Sequence, residues 1–502
     1  MTQSSISKSA SERSCASPVR RDSITALESS LLAIIGFFSL FAAIVPFYRA
    51  FHKLAIDYNE GWNVYVASAL AHHLLLYPAR YTWTEVTYPV GSFYLASQLS
   101  KLTGDYLFTG RVLSLFALVL CCILVGAITK KITGASIPTF LSACFCWVLF
   151  CANANGYVGM NDPQMLAQVF FLAGVLLYVS RSADAVCLTG VALLLALGGT
   201  FKHNLIDFPL AVFLDLCIVS GRRALQFLIY GVLFLSAAIA FNVDVGGPFF
   251  IASLLMPRHY FLPKGVWDFL RFYGLIQFPL FAVATAVIWA AKNASARVIS
   301  IWFVVSLIVG VDFAGGAGVD VNAFFSNFLS MSVLVGILIN MVWTTSLLEA
   351  RGDAAWLRVG LVLALFGSLV FPLRASGSLR PAHELHEIRM QEERFERDVS
   401  FLRSQPGPAL CEDLLRCYFA GKPYIYDPIS STRLIRRGKL DGGEIVSKVE
   451  KHEYGAIQLN WPIELEVRPN TRFVDPIFDA MSKHYVPVLE EPDCTIYVPK
   501  RL

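Results

Sequence analysis

The sequence predicts an α-helical polytopic membrane protein with about eleven transmembrane helices, a long interfacial first external loop and a small carboxy-terminal α/β soluble domain. Three observations carry that expectation. Of 502 residues, 56% are hydrophobic and the mean hydropathy is +0.57, more apolar surface than a soluble domain of this length buries. The apolar residues are gathered into runs of about 20, the length needed to cross a hydrocarbon core. From about residue 380 onward the composition is that of an ordinary charged soluble chain, and the net charge of +4 carries no nucleic-acid signature.

Residues 1–27 are rich in Ser and basic residues (Lys8, Arg13, Arg20, Arg21) and are expected to form a disordered cytoplasmic tail. The first apolar run ends in Pro46-Phe47-Tyr48-Arg49, a poor cleavage site, so it reads as an uncleaved first helix rather than a signal peptide. Candidate spans follow at 28–48, 107–128, 135–152, 164–180, 185–200, 205–220, 224–243, 272–291, 298–313, 322–346 and 356–373. The transmembrane module is therefore 28–375, with its external loop at 50–106, and 376–502 is expected to be an extracytoplasmic α/β domain. Within that domain 381–403 and Pro476 to Tyr485 read as helical. Tyr424-Ile425-Tyr426, Ala456 to Leu459 and Thr495 to Val498 read as short strands. Most of the eleven cysteines fall inside the spans as small hydrophobes, and Cys411, Cys417 and Cys494 leave a bridge in the domain open.

Lys and Arg in short connectors are retained on the cytoplasmic side. With the amino terminus inside, the pairs Arg20/Arg21, Lys130/Lys131 and Arg222/Arg223, with Arg181, Lys292/Arg297 and Arg351/Arg358, all fall inside. Lys202-His203 is the exception. It shares the outer face with 50–106, the turn 153–163, segment 244–271, the turn 312–321 and the carboxy-terminal domain. The elaborated loops are external, so chemistry or recognition is expected there.

Two acidic stretches lie on that face, Asp57-Tyr58-Asn59-Glu60-Gly61-Trp62-Asn63 and Gly159-Met160-Asn161-Asp162-Pro163. Asp57 and Glu60, three apart, share a face of a helix that begins there. Two readings stand at this point: helix capping, or a carboxylate beside low-dielectric surroundings that takes a proton from a nucleophile. Asp162 before Pro163 carries the same two readings. From Gly61 to Leu76 the spacing of Trp62, Tyr65, Val66, Ala69 and Leu70 fits an amphipathic helix lying in the interface.

Further motifs follow in order: Leu76-Tyr77-Pro78, Tyr88-Pro89, Arg111-x-x-Ser114, Asn161-Asp162-Pro163, Gly199-x-x-Lys202 with Pro209, and Gly318-x-x-x-Asn322. This ordered set, over residues 28–345, resembles the GT-C superfamily of polytopic glycosyltransferases, and more narrowly the protein O-mannosyltransferases and lipid A aminoarabinose transferases with their bacterial relatives. The resemblance implies a glycosyltransferase of the cell envelope, moving a hexosyl or pentosyl group from a polyprenyl-phosphate sugar to a glycan, lipid or protein acceptor. Transfer would occur with inversion on the outer face of a bacterial inner membrane. It carries the catalytic base to Asp57. Many members have adjacent Asp-Glu in this loop, whereas here Tyr58 and Asn59 intervene, which keeps Glu60 in contention. Asp162 is expected to orient the acceptor or the base. The leaving phosphate needs cations, and Lys202, His203, Arg111, Arg258 and His259 are the candidates; a lysine kept against the charge rule suggests a counter-anion. Asn161, Asn322 and Tyr88 are expected to support acceptor or backbone. No spacing of ligand residues requires a metal or other cofactor beyond the donor. The alternatives are a polytopic transporter or a non-catalytic lipid-binding subunit on the same scaffold; neither internal repeats nor mid-span polar groups favour a transporter.

Overall fold

Hydrocarbon offers no partner to a peptide group, so apolar runs satisfy their backbone within themselves as helices. The computed structural model describes residues 18–77, 80–181, 183–255, 263–274, 277–291, 293–316, 319–345, 354–463 and 472–500. Up to residue 375 these form α1 (Pro18–Ala50), α2 (Tyr58–Ala71), α3 (Gly91–Thr103), α4 (Tyr106–Thr133), α5 (Ser136–Asn153), α6 (Gln164–Ser180), α7 (Ala185–Gly199) and α8 (Asp207–Val219). There follow α9 (Gly221–Gly246), α10 (Phe250–Leu255), α11 (Pro263–Gly274), α12 (Gln277–Ala290), α13 (Ala294–Ala314), α14 (Phe325–Thr344), α15 (Ala354–Gly367) and α16 (Val370–Ala375).

Among the described residues, each of the eleven expected stretches is mainly helical. Among the described residues, seven helical stretches are long and apolar enough to cross a membrane: Ala26–Ala50, Tyr106–Thr133, Ser136–Asn153, Gly221–Gly246, Ala294–Ala314, Val321–Thr344 and Ala355–Ala375. α6, α7, α8 and α12 are shorter. The protein is an integral membrane protein by this measure. One boundary differs from expectation. α1 begins at Pro18, inside the stretch expected to be disordered, and 1–17 lie outside the described residues.

Asp105 starts α4 by accepting the Phe108 amide at 3.0 Å, and Asp184 starts α7 by accepting that of Cys187 at 2.8 Å. α14 is the buried centre: it packs against α4, α5, α12 and α13, and every side chain from Phe325 to Ile339 is buried. Around it α4 packs on α5 and α6, α6 on α7, and α7 on α9.

After α16 a long helix (Pro381–Ser404) leads into a four-stranded sheet of β1 (Ala409–Cys411), β2 (Ala456–Leu459), β3 (Tyr485–Glu491) and β4 (Cys494–Pro499), in the order β1-β2-β4-β3. β1 and β2 are parallel, and the other pairs are antiparallel. The parallel pair needs a crossover, supplied by helices Leu414–Phe419, Pro428–Arg436 and Gly442–Glu450. Tyr424 to Tyr426, expected as a strand, lies in this crossover as loop. Aromatic stacking holds it there instead of a ladder: the Tyr426 ring stacks on Phe473 at 5.4 Å and on Trp83 at 5.8 Å. Cys411 and Cys417 are bridged, tying β1 to Leu414–Phe419, while Cys494 is a buried free thiol.

The helix expected to lie in the interface, α2, is instead enclosed by protein. It packs on α3 and on Leu414–Phe419, and Trp62, Val64, Val66 and Leu70 are all buried. Gly61 makes this possible, because a Cβ there would stand 2.3 Å from the Leu415 backbone nitrogen.

Candidate active site

The segments assigned to one face of the sequence converge on one cavity of about 540 Å³. Tyr58, Asn59 and Trp62 of α2, Tyr88 of the first loop, Tyr157 of the α5–α6 turn and Lys202 with His203 after α7 line it. Leu254 of α10, Asp312, Phe313, Gly316, Val319 and Asn322 at the α13–α14 connection, and Asp427, Ile429, Ser430 and Arg433 of the carboxy-terminal crossover complete the wall.

Asp57 caps α2, its Oδ1 accepting the Asn59 amide at 3.0 Å in an extended conformation. Its other oxygen has no hydrogen-bond partner among the described residues. Burial raises the Asp57 carboxyl above the ordinary carboxylate range against the Asn59 amide and the Arg472 charge, and the charges of Asp320 and Glu60 raise it further. Asp57 stands beside the cavity wall; the two residues after it form the wall itself. Asp162 is buried, with Oδ1 accepting the Gln164 amide at 2.8 Å and Oδ2 unpartnered. Tyr157 registers both acids. Burial first, then the charges of Asp320, Asp162 and Asp57, push its phenol far up.

Lys202 follows the short turn at the end of α7, its amide bound to Gly198 O at 3.1 Å. The first loop docks on the same turn through Gly91 N donating to Thr200 O at 2.9 Å. The ammonium is buried, sits 3.6 Å from the Tyr88 ring centroid, and makes no salt bridge among the described residues. Burial alone would lower its proton affinity. The Asp162 charge and Tyr88 more than offset this, and the pKa is raised. Lys202 therefore lines the cavity as a charged side chain.

Arg111 and Glu60 are brought together, and neither lines the cavity. Arg111 Nε donates to Glu60 Oε1 at 2.8 Å and Nη2 to Oε2 at 2.6 Å. The remaining guanidinium hydrogens go to His52 O and Leu54 O, both at 2.6 Å, and to Ala50 O at 3.4 Å, closing the segment between α1 and α2. Glu60 also accepts the amides of Ile56 and Asn161, each at 2.9 Å. The pair thus fixes the backbone of the residues that precede Asp57 and Asp162. Arg111→Leu leaves a buried carboxylate without its cation, and the expected loss is about 3–5 kcal/mol, read as lower melting temperature and folded yield in detergent.

Asn161 acts through its backbone, accepting Asn63 Nδ2 at 2.5 Å, while its side chain lies where a Cβ on Gly110 would clash at 2.0 Å. Asn322 and Tyr88 line the cavity, and Asn322 O also accepts Gln164 Nε2 at 3.1 Å. Arg258 and His259, with Pro78 and Gly318 of the motifs, lie outside the described residues.

Sequence reasoning passed over Tyr58, Tyr157, Asp320 and Asp427. Asp427 accepts Tyr58 Oη and Tyr424 Oη, both at 2.9 Å, and so clamps the start of α2 to the carboxy-terminal crossover. Arg472 lies over the Tyr58 ring at 4.2 Å. Asp320 could have been found, since it caps a turn in the same outer segment as Asn322. A partnership across 369 residues, as between Tyr58 and Asp427, has no local signal. Among the described residues no three His, Cys, Asp or Glu side chains form a metal-holding group.

The fold these elements define is shared with solved structures of other proteins. The particular solved structures it resembles include ArnT from Cupriavidus metallidurans bound to undecaprenyl phosphate, at TM-score 0.58 and 11% identity over 92% of this chain and 98% of that one. The apo state of the same protein matches at TM-score 0.55 and 13% identity, over 93% and 98%. The Archaeoglobus fulgidus oligosaccharyltransferase AglB, in complex with an inhibitory peptide and a dolichol-phosphate, matches at TM-score 0.55 and 11% identity, over 94% and 74%. No family profile matches the chain, and no curated protein matches it in sequence.

Proposed function

We propose that this protein is a membrane glycosyltransferase that takes a sugar from a polyprenyl-phosphate carrier and passes it, with inversion, to an acceptor hydroxyl. The observation that carries this reading is Lys202: a buried, charged lysine without a salt-bridge partner among the described residues, facing a cavity and coupled to Asp162. A lysine in that state calls for an anion. Beside it runs an apolar groove of about 400 Å³ between α3, α6, α7 and α9, bordered by Gly91, Phe201 and Phe241 and reaching Thr200, two residues from Lys202. A phosphate at Lys202 with its prenyl chain in this groove satisfies both features.

In the reaction Asp57 accepts the acceptor's proton as its oxygen attacks the anomeric carbon from the side opposite the phosphate. The bond from that carbon to the phosphate oxygen breaks, its electron pair leaves with the polyprenyl phosphate, and Lys202 neutralises the charge that develops. Asp162 orients the acceptor and holds Lys202 charged. We infer further that the site faces away from the cytoplasm: the Cys411–Cys417 bridge fits an oxidising compartment, and the basic connectors belong to the opposite side.

The test is thermal unfolding of the purified protein with polyprenyl phosphate and, separately, with the matching polyprenol. The phosphate should raise the melting temperature and the alcohol should not. Equal effects of the two would contradict a phosphate site at Lys202. A second expectation concerns pH. A base must be ionised, so kcat/KM should fall on the acid side at a pH above the ordinary carboxylate range, because burial raises Asp57. Arg472→Gln removes a charge that favours the carboxylate, so the acid limb should move to higher pH; a shift to lower pH would count against Asp57.

A further inference from the structure

Behind Asp162 lies a second cavity, separate from the large one, of about 20 Å³. It is walled by α2, α3, α4 and the Asn161–Asp162–Pro163 turn, and four of its lining side chains carry a buried polar atom with no hydrogen-bond partner among the described residues. These are Asn63 Oδ1, Ser92 Oγ, Ser114 Oγ and Asp162 Oδ2, on side chains between 2% and 9% exposed. Buried polar atoms are rarely left unpaired, and four around one small space need a common explanation.

Their chemistry identifies the occupant. Asn63 donates its Nδ2 to Asn161 O, which leaves Oδ1 as an acceptor. Asp162 Oδ2 is an acceptor too, and the two serine hydroxyls are free to donate. Two acceptors and two donors around a volume that holds about one molecule are the complement of a water, which offers two hydrogens and two lone pairs. A cation also fits the volume, but it would leave both hydroxyl hydrogens unused and would bring a second positive charge next to Asp162, which already feels Lys202.

We propose that one fixed water occupies this cavity and joins Asp162 to α2, α3 and α4. It donates to Asp162 Oδ2 and Asn63 Oδ1 and accepts from Ser92 and Ser114. Asp162 is then held on two sides, by the Gln164 amide at Oδ1 and by the water at Oδ2, and Asn63, Ser92 and Ser114 become positioning residues for a carboxylate they do not touch directly. The presence of the water is independent of the reaction assigned to the site; its effect on turnover rests on that assignment.

Density for the full-length protein in nanodiscs, at a resolution that shows ordered solvent, reads the site directly. A single peak about 2.5–3.0 Å from the four oxygens is expected. A cavity without density, or a peak at the shorter 2.0–2.6 Å of a hard cation, overturns the proposal. Two variants read its effect. Ser114→Ala leaves space in which water remains, and should keep turnover within about threefold; Ser114→Val fills the space without a donor, and should lower kcat about tenfold with KM for the donor unchanged. Equal loss in both variants would show that the hydroxyl, not the water, matters, and would overturn the positioning role. Should the valine variant fail to fold, the density and the alanine variant decide.

Discussion

Asp57→Asn is expected to lower turnover of a polyprenyl-phosphate sugar by about 10²–10⁴-fold while the protein keeps its melting temperature to within a few degrees. The asparagine retains the oxygen that accepts the Asn59 amide, so the cap on α2 survives. What it loses is the ability to take a proton. The contrast with Glu60 sharpens the expectation. Both Glu60 oxygens are already committed, to Arg111 and to the Ile56 and Asn161 amides, so Glu60→Gln should show itself first as instability. Asp57→Asn with full activity, or Glu60→Gln with normal stability and no activity, would move the base from Asp57 to Glu60. Single-turnover rates alongside thermal unfolding measure both.

Lys202→Met is the second large effect. Methionine keeps most of the volume against Tyr88 and removes the charge. Loss of the cation at the leaving phosphate should cost about 10²–10³-fold in kcat, and weaker donor binding should raise KM in the same variant. Lys202→Arg should recover part of the loss, since the charge returns with a different shape. The melting temperature of the methionine variant should stay level or rise, because a buried charge without a salt-bridge partner destabilises the unliganded fold. A large fall would point to a structural lysine whose only role is to hold Asp162.

The two acids were legible in the sequence because helix starts have local chemistry: a carboxylate before a helix, a proline after it. Their placement near one cavity was legible for a different reason. Basic connectors and the parity of the spans sort loops by side, and the cavity is lined from the loops sorted together. What the sequence did not carry were partners chosen by packing. Arg111 read as a free cation near a membrane surface because nothing local says that Glu60, 51 residues earlier, meets it. α2 read as amphipathic because its contact with Leu414–Phe419 hides the face that spacing alone turns toward lipid. Strands β1 and β3 were missed for lack of pattern: β1 has three residues, and β3 carries Pro487 and a bulge.

The carboxy-terminal region is part of the site in this account. Asp427 clamps Tyr58, the residue after Asp57, and the main chain of Trp83 accepts from both the Asp427 amide at 2.7 Å and Ser431 Oγ at 2.8 Å. Its helix Pro428–Arg436 also supplies cavity wall, so this region is built into the same frame as the start of α2.

The most direct measurement is transfer itself: purified full-length protein with labelled polyprenyl-phosphate sugars and a mixture of envelope lipids, glycans and peptides as acceptors, run beside Asp57→Asn. Label is expected to leave the carrier and appear on an acceptor, with free polyprenyl phosphate as the other product, in the parent and not in the variant. Label that stays on the carrier across the donor series, or that moves equally with Asp57→Asn, contradicts that expectation.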